Sequence, residues 1–177
     1  FNMRIAHGCH VGVLLAAVLL CNAANAAPHR VVSTFLCTDE YIFRMVPRDR
    51  IAALSYLSAD RHPVVSTIAD KVKGIALTHG SAEEVLALHP DLVVMYQNTN
   101  PRLRAHLIET HTPFVETKWA NSIADIRDVT RQLGAALGAK GRAEAMIADM
   151  DAKLARAAKE APYPSVTTLI YEPNGYA

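Results

Sequence analysis

Apolar runs of strand length alternate with helical periodicities along this chain. Val31 to Phe35 reads as a buried strand, Thr38 to Met45 as a short helix and Ile51 to Leu54 as a second strand. A looser segment follows, broken by Asp60-Arg61-His62-Pro63. Ser81 to Leu88 then predicts a short helix, Asp91 to Tyr96 a strand, Pro101 to Glu109 a helix and Pro113 to Glu116 a fourth strand. Four apolar runs separated by helices predict an α/β fold, a parallel sheet with helices on both faces.

Beyond Ser122 the pattern is helical only. Ser122 is placed to cap a helix whose inward stripe is Ile123, Ile126, Val129, Leu133 and Leu137, ending at Gly138. Lys140 to Glu160 puts Ala143, Met146, Ile147, Met150 and Leu154 on one stripe, and at 1.5 Å per residue it is ~30 Å long. Pro162-Tyr163-Pro164 stops that helix, and Val166 to Tyr171 begins another strand. The organisation expected is an α/β lobe over 27–121, a helical segment over 122–161, and the first strand of a second α/β lobe over 162–177 that is cut off.

The first stretch has a different character. Met3 and Arg4 lead into the apolar run Val11 to Leu20 and then Ala24-Asn25-Ala26, a small-x-small cleavage pattern. Such a run is too short to span a bilayer, which takes ~20 residues. Residues 1–26 are therefore expected to be a secretory leader starting at Met3, with Phe1 and Asn2 upstream of the initiator. Cys21 raises the alternative of a lipoprotein, but bulky Leu20 precedes it, where lipoprotein signals place a small residue. Cleavage after Ala26 leaves Cys37 as the one cysteine and no internal disulfide to form. With 177 residues, 51% apolar content and a formal charge of +1, the chain can build an ordinary core and shows no basic excess pointing to nucleic acid.

Candidate chemistry concentrates in His79 to Gln97. Ser81 and Glu84 have the spacing of a capping box, in which each side chain takes a backbone N–H of the other's residue. Glu83 reads either as a solvated first-turn acid or as a charge presented to a partner. Ligands bind at the carboxyl ends of the strands in an open parallel sheet. Phe35, Leu36, Cys37 and Thr38 lie at one such end, Tyr56 at another, and Tyr96 and Gln97 at a third. His79 sits at a turn on the same side and is open to two readings, a hydrogen-bonding turn residue or a ligand to a bare metal ion. Cys37 is either a nucleophile at a helix N-terminus or a small residue lining the cleft. No G-x-S-x-G elbow, phosphate-binding glycine loop or paired-carboxylate spacing is present, so no catalytic residue or cofactor is expected.

Three stretches resemble a known family. These are Arg30-Val31-Val32-Ser33, Arg50-Ile51-Ala52-Ala53-Leu54-Ser55, and Ala82-Glu83-Glu84-Val85-Leu86-Ala87-Leu88-His89-Pro90-Asp91-Leu92-Val93-Val94. Together they resemble the periplasmic substrate-binding proteins of ABC importers for iron-siderophore and cobalamin. Tyr171-Glu172-Pro173-Asn174-Gly175-Tyr176 looks like the start of the family's second lobe. The resemblance implies two α/β lobes joined by one long helix, here Lys140 to Glu160, with a bulky metal chelate held between them. It implies that Tyr96 stands at the cleft rim, that Asn174 and Tyr176 contribute from the second lobe, and that Glu83 docks on the membrane permease. It further implies a soluble protein of the periplasm that performs no covalent chemistry. The alternatives are a binder of bare zinc or manganese and a non-catalytic periplasmic adaptor half-domain.

Overall fold

In the core strands almost every side chain is buried, as a sheet covered on both faces requires. All three residues of β1 (Val31–Ser33) and all five of β4 (Leu92–Tyr96) are buried. The computed structural model describes residues 27–62, 64–160 and 167. With β2 (Ile51–Ser55), β3 (Ala76–Thr78) and β5 (Phe114–Thr117), these strands form one parallel sheet in the order β3-β2-β1-β4-β5. The helices are α1 (Leu36–Met45), α2 (Ala82–Ala87), α3 (Pro101–Glu109), α4 (Ile123–Ala136) and α5 (Lys140–Glu160). Residues 1–26, where a leader is expected, Pro63, the strand expected at Val166 to Tyr171, Asn174 and Tyr176 lie outside the described residues.

Strand alternation divides the core. Val31 and Val94 point to one face, where Ile42, Met45, Val129, Leu133 and Ala143 cover them. Val32, Val93 and Met95 point to the other, against Val85, Leu103 and Leu107. Helices α1, α4 and α5 thus lie on one face and α2 and α3 on the other. Among the described residues no helix is long and apolar enough to cross a membrane.

Several boundaries depart from the pattern-based expectation. The sheet has a fifth strand, β3, in which only Thr78 is buried; three residues with Ala76 and Leu77 exposed leave no apolar run to read. β1 stops at Ser33 rather than Phe35, and α1 starts at Leu36 rather than Thr38, because extended Phe35 is the N-cap of α1. Ile123 and Leu154, assigned to inward stripes, are exposed, and residues 152–160 are all exposed. The first turn of α4 and the last turns of α5 run past the surface that buries the rest of each helix. Where the two helices do meet they approach closely: a Cβ added to Gly134 would stand 2.4 Å from the Cβ of Ala143.

Candidate functional site

The two long edges of the sheet differ in chemistry. At the amino edge, the Asp91 carboxylate accepts the backbone N–H groups of His29 at 2.6 Å and Arg30 at 2.8 Å. The Arg30 guanidinium donates to the carbonyls of Leu88 and His89, and Arg50 donates to those of Pro28 at 2.6 Å and Leu137 at 2.7 Å. These bonds join the segment before β1, the turn after α2 and the end of α4, so this edge is a structural staple.

The carboxyl edge is aromatic. Connections leave β1 and β4, which are neighbours, in opposite directions, and the crevice between diverging loops is the usual ligand position in such sheets. Phe35, Tyr96 and Trp119, from the ends of β1, β4 and β5, meet there. Ring centroids are 5.0 Å apart for Phe35–Tyr96, 4.7 Å for Tyr96–Trp119 and 6.2 Å for Phe35–Trp119, with the two Phe35 contacts edge to face. Each aromatic contact of this kind is worth ~0.5–1.5 kcal/mol beyond its buried area, enough to hold the group without ligand. Trp119 is 53% exposed and Tyr96 only 6%. Trp119 therefore offers the open face, while Tyr96 backs it. Burial pushes the Tyr96 hydroxyl up to about 12, with Cys37 and Tyr41 adding to the shift. Burial also raises the Cys37 thiol, only partly offset by its hydrogen bond with Tyr96, and the nearby Asp39 and Glu40 charges raise it further. A thiol kept protonated in this way is a lining group and a poor nucleophile.

A second aromatic pair extends the edge. Tyr56, beyond β2, stacks on His79, beyond β3, with centroids 4.7 Å apart and planes 22° from parallel; both are exposed. The His79 loop is held from below. Ser81 caps α2 by accepting the Glu84 N–H at 3.1 Å, whereas the Glu84 carboxylate reaches past Ser81 to the His79 N–H at 2.7 Å and the Thr78 hydroxyl at 2.8 Å. The box is thus reciprocal in function but shifted by two residues from the expected partner. Its bonds to Thr78 and His79 hold the Glu84 carboxyl below the usual carboxylate range. Asn100 caps α3 through the Leu103 N–H at 2.9 Å and donates to the Gly80 carbonyl at 2.8 Å, tying the loop after β3 to the loop after β4.

The structure thus gathers Phe35, Cys37, Tyr56 and His79 along one edge, with half-buried Leu36 and Gln97 beside them. Two expectations need correction. Thr38 is buried, its hydroxyl donating to the Phe35 carbonyl and paired with Ser33, both at 2.7 Å, so it closes the first turn of α1 instead of facing a ligand. Tyr96 is the buried backing of the wall, not its surface. The open ring belongs to Trp119, which pattern reading missed; its only signal was a lone tryptophan just beyond a strand. Glu83 is exposed on the first turn of α2, 3.9 Å from exposed Arg102. Its own backbone N–H and the Ser81 side chain hold its carboxyl below the usual range, with Arg102 and His106 helping. Among the described residues no three His, Cys, Asp or Glu side chains gather closely enough to hold a metal ion.

The doubly wound parallel lobe thus has a stapled amino edge and an aromatic, partly open carboxyl edge. The chain belongs to the periplasmic binding protein family, whose profile matches residues 44–176. It is 31% identical over 144 residues to a vitamin B12-binding protein of Pectobacterium carotovorum, covering 80% of this chain and 50% of that one. Among solved structures, a possible iron-binding periplasmic solute-binding protein of Staphylococcus epidermidis superposes with a TM-score of 0.66 at 19% identity, covering 79% of this chain and 54% of its own. A periplasmic heme-binding protein of Pseudomonas aeruginosa gives 0.59 at 22% identity, covering 75% and 46%. A periplasmic vitamin B12 binding protein of Vibrio cholerae gives 0.58 at 19% identity, covering 76% and 51%. The chain spans about half the length of these relatives. Each is named for the solute it binds, a possible one in the Staphylococcus epidermidis case.

Proposed function

We propose that this chain is the first lobe of an exported solute-binding protein that captures a metal chelate of the iron-siderophore or cobalamin type and delivers it to an ABC importer. The observation that carries this reading is the Phe35–Tyr96–Trp119 group at the switch point of the sheet, an apolar and partly open face suited to a bulky conjugated ligand. Vitamin B12 and heme, named for three of the relatives, are metal chelates. On this reading residues 1–26 direct export to the periplasm and α5 is the helix leading to a second lobe, from which Asn174 and Tyr176 would close the cleft. Lobe movement is then small, because a continuous helix resists bending.

The reading is tested by titrating the purified protein with cyanocobalamin, haem and ferric siderophores while following the fluorescence of the single tryptophan. One chelate class is expected to quench it, and Trp119→Ala, followed by calorimetry because it removes the fluorophore, should weaken binding of that chelate by up to about tenfold, since an aromatic stacking contact is worth ~0.5–1.5 kcal/mol. Quenching by free zinc or manganese and by no chelate would transfer the site to bare ions. Glu83 is the proposed permease contact: Glu83→Ala should leave chelate affinity unchanged and lower transporter-dependent uptake. An uptake loss that merely follows a drop in melting temperature would remove that role.

A further inference from the structure

Asp39 is the only charged side chain among the described residues that is buried. It lies in the first turn of α1, under the aromatic edge, and no cation is paired with it. One carboxylate oxygen accepts the Ser55 backbone N–H at 3.1 Å, and the other accepts the Ser55 hydroxyl. The Ser33 hydroxyl pairs instead with the hydroxyl of Thr38, the residue before Asp39, at 2.7 Å. Ser33 and Ser55 are the last residues of the adjacent strands β1 and β2. Phe35 follows Ser33 by two positions, and Tyr56 follows Ser55 directly. A single buried group therefore grips the strand end from which Tyr56 is launched. Ser55 also begins the turn that carries Tyr56, its carbonyl accepting the Ser58 hydroxyl at 2.8 Å.

Burying a carboxylate without a cation is unfavourable, and a well-packed apolar residue fills such a space at lower free energy. What an apolar residue does not supply is direction, because only an acceptor fixes where the Ser55 N–H and hydroxyl point. We propose that Asp39 is a positioning residue that sets Tyr56 against His79, pre-forming that part of the wall before a ligand arrives. The inference rests on reading those rings as the wall, but the arrangement it asserts is measurable without ligand.

The reporter is the His79 imidazole, whose ring protons are shielded by the stacked Tyr56 and are assigned in the proton NMR spectrum by loss in His79→Gln. Asp39→Ala should return most of that ring-current displacement toward the value of a free histidine, and Ser55→Ala part of it. Asp39→Asn keeps an oxygen for the Ser55 N–H and an amide that can donate to the Ser55 hydroxyl, so it should restore at least half. Ile42→Val, at a fully buried position of the same helix, lowers stability without touching the clamp and should leave the signal in place. Unchanged His79 signals in Asp39→Ala and Ser55→Ala, or an equal change in Ile42→Val, would overturn the assignment. Should Asp39→Ala not fold, Ser55→Ala and Asp39→Asn decide the matter. A displaced signal in a protein that binds no chelate would refute the ligand reading alone, and a chelate binder with an unmoved signal would refute only the role of Asp39.

Discussion

Asp39 has a consequence for stability as well as geometry. Desolvation raises its carboxyl from 3.8 to about 6, against the opposing influence of the Ser33 and Ser55 hydroxyls and the Ser55 N–H, with the Glu40 charge adding to the rise. Between about pH 4 and 6 the folded protein keeps a proton that the unfolded chain has released, so stability falls as pH rises through that window. At 1.36 kcal/mol per unit the loss is on the order of 2–3 kcal/mol. Urea unfolding of wild type at pH 4.5 and 7 should show that decline, and Asp39→Asn should flatten it. This residue was not legible in the sequence, where it is one acid beside another in a helical stretch; its burial exists only once α1 packs on β1 and β2. Ser81 and Glu84 were legible because capping is local. The Glu84 partner was misread because a carboxylate also reaches residues that precede the cap.

Among the elements, α3 and α5 have the bounds their periodicity predicts, since a proline at the first turn and a long stripe are strong local signals. β3 escaped notice because a three-residue edge strand takes its identity from its neighbour β2. Trp119 escaped because no periodic pattern covers a loop. The α4–α5 pair invites a sharper test. Alanine is the better helix former by ~1 kcal/mol, yet Gly134→Ala would place a methyl 2.4 Å from the Ala143 Cβ. Overpacking should dominate, lowering stability by about 1–3 kcal/mol in chemical denaturation. Along α5 itself, Ile147→Ala should cost about 2–4 kcal/mol at a buried site, while Leu154→Ala, 41% exposed, should cost less than about 1 kcal/mol. Equal losses at the two sites would mean that the outer turns of α5 are covered in solution.

At the scale of the molecule, the stapled edge and the proposed recognition edge are opposite edges of one sheet. Asp91→Ala removes two charge-assisted bonds at the amino edge and should lower stability by about 1–3 kcal/mol with no change in chelate affinity. Trp119→Ala at the other edge should show the reverse, weaker binding with a small change in melting temperature. The doubly wound class was readable from alternation alone, since continuous apolar strands between helices admit few other packings. The wall was readable only as a set of strand ends. Which ring is open depends on how Phe35, Tyr96 and Trp119 pack against one another across three strands.

The close approach of Gly134 to Ala143 gives α5 the mechanics of a lever. Ala143 is near one end of the helix, and ~25 Å of it extends beyond that contact toward Glu160. A tilt of only about 5° at such a fulcrum swings the far end through ~2 Å, given a helix of this length. The missing methyl at position 134 and, two turns further along, the Arg127–Asp151 pair thus fix an aim: together they set where the farthest turn of α5 points.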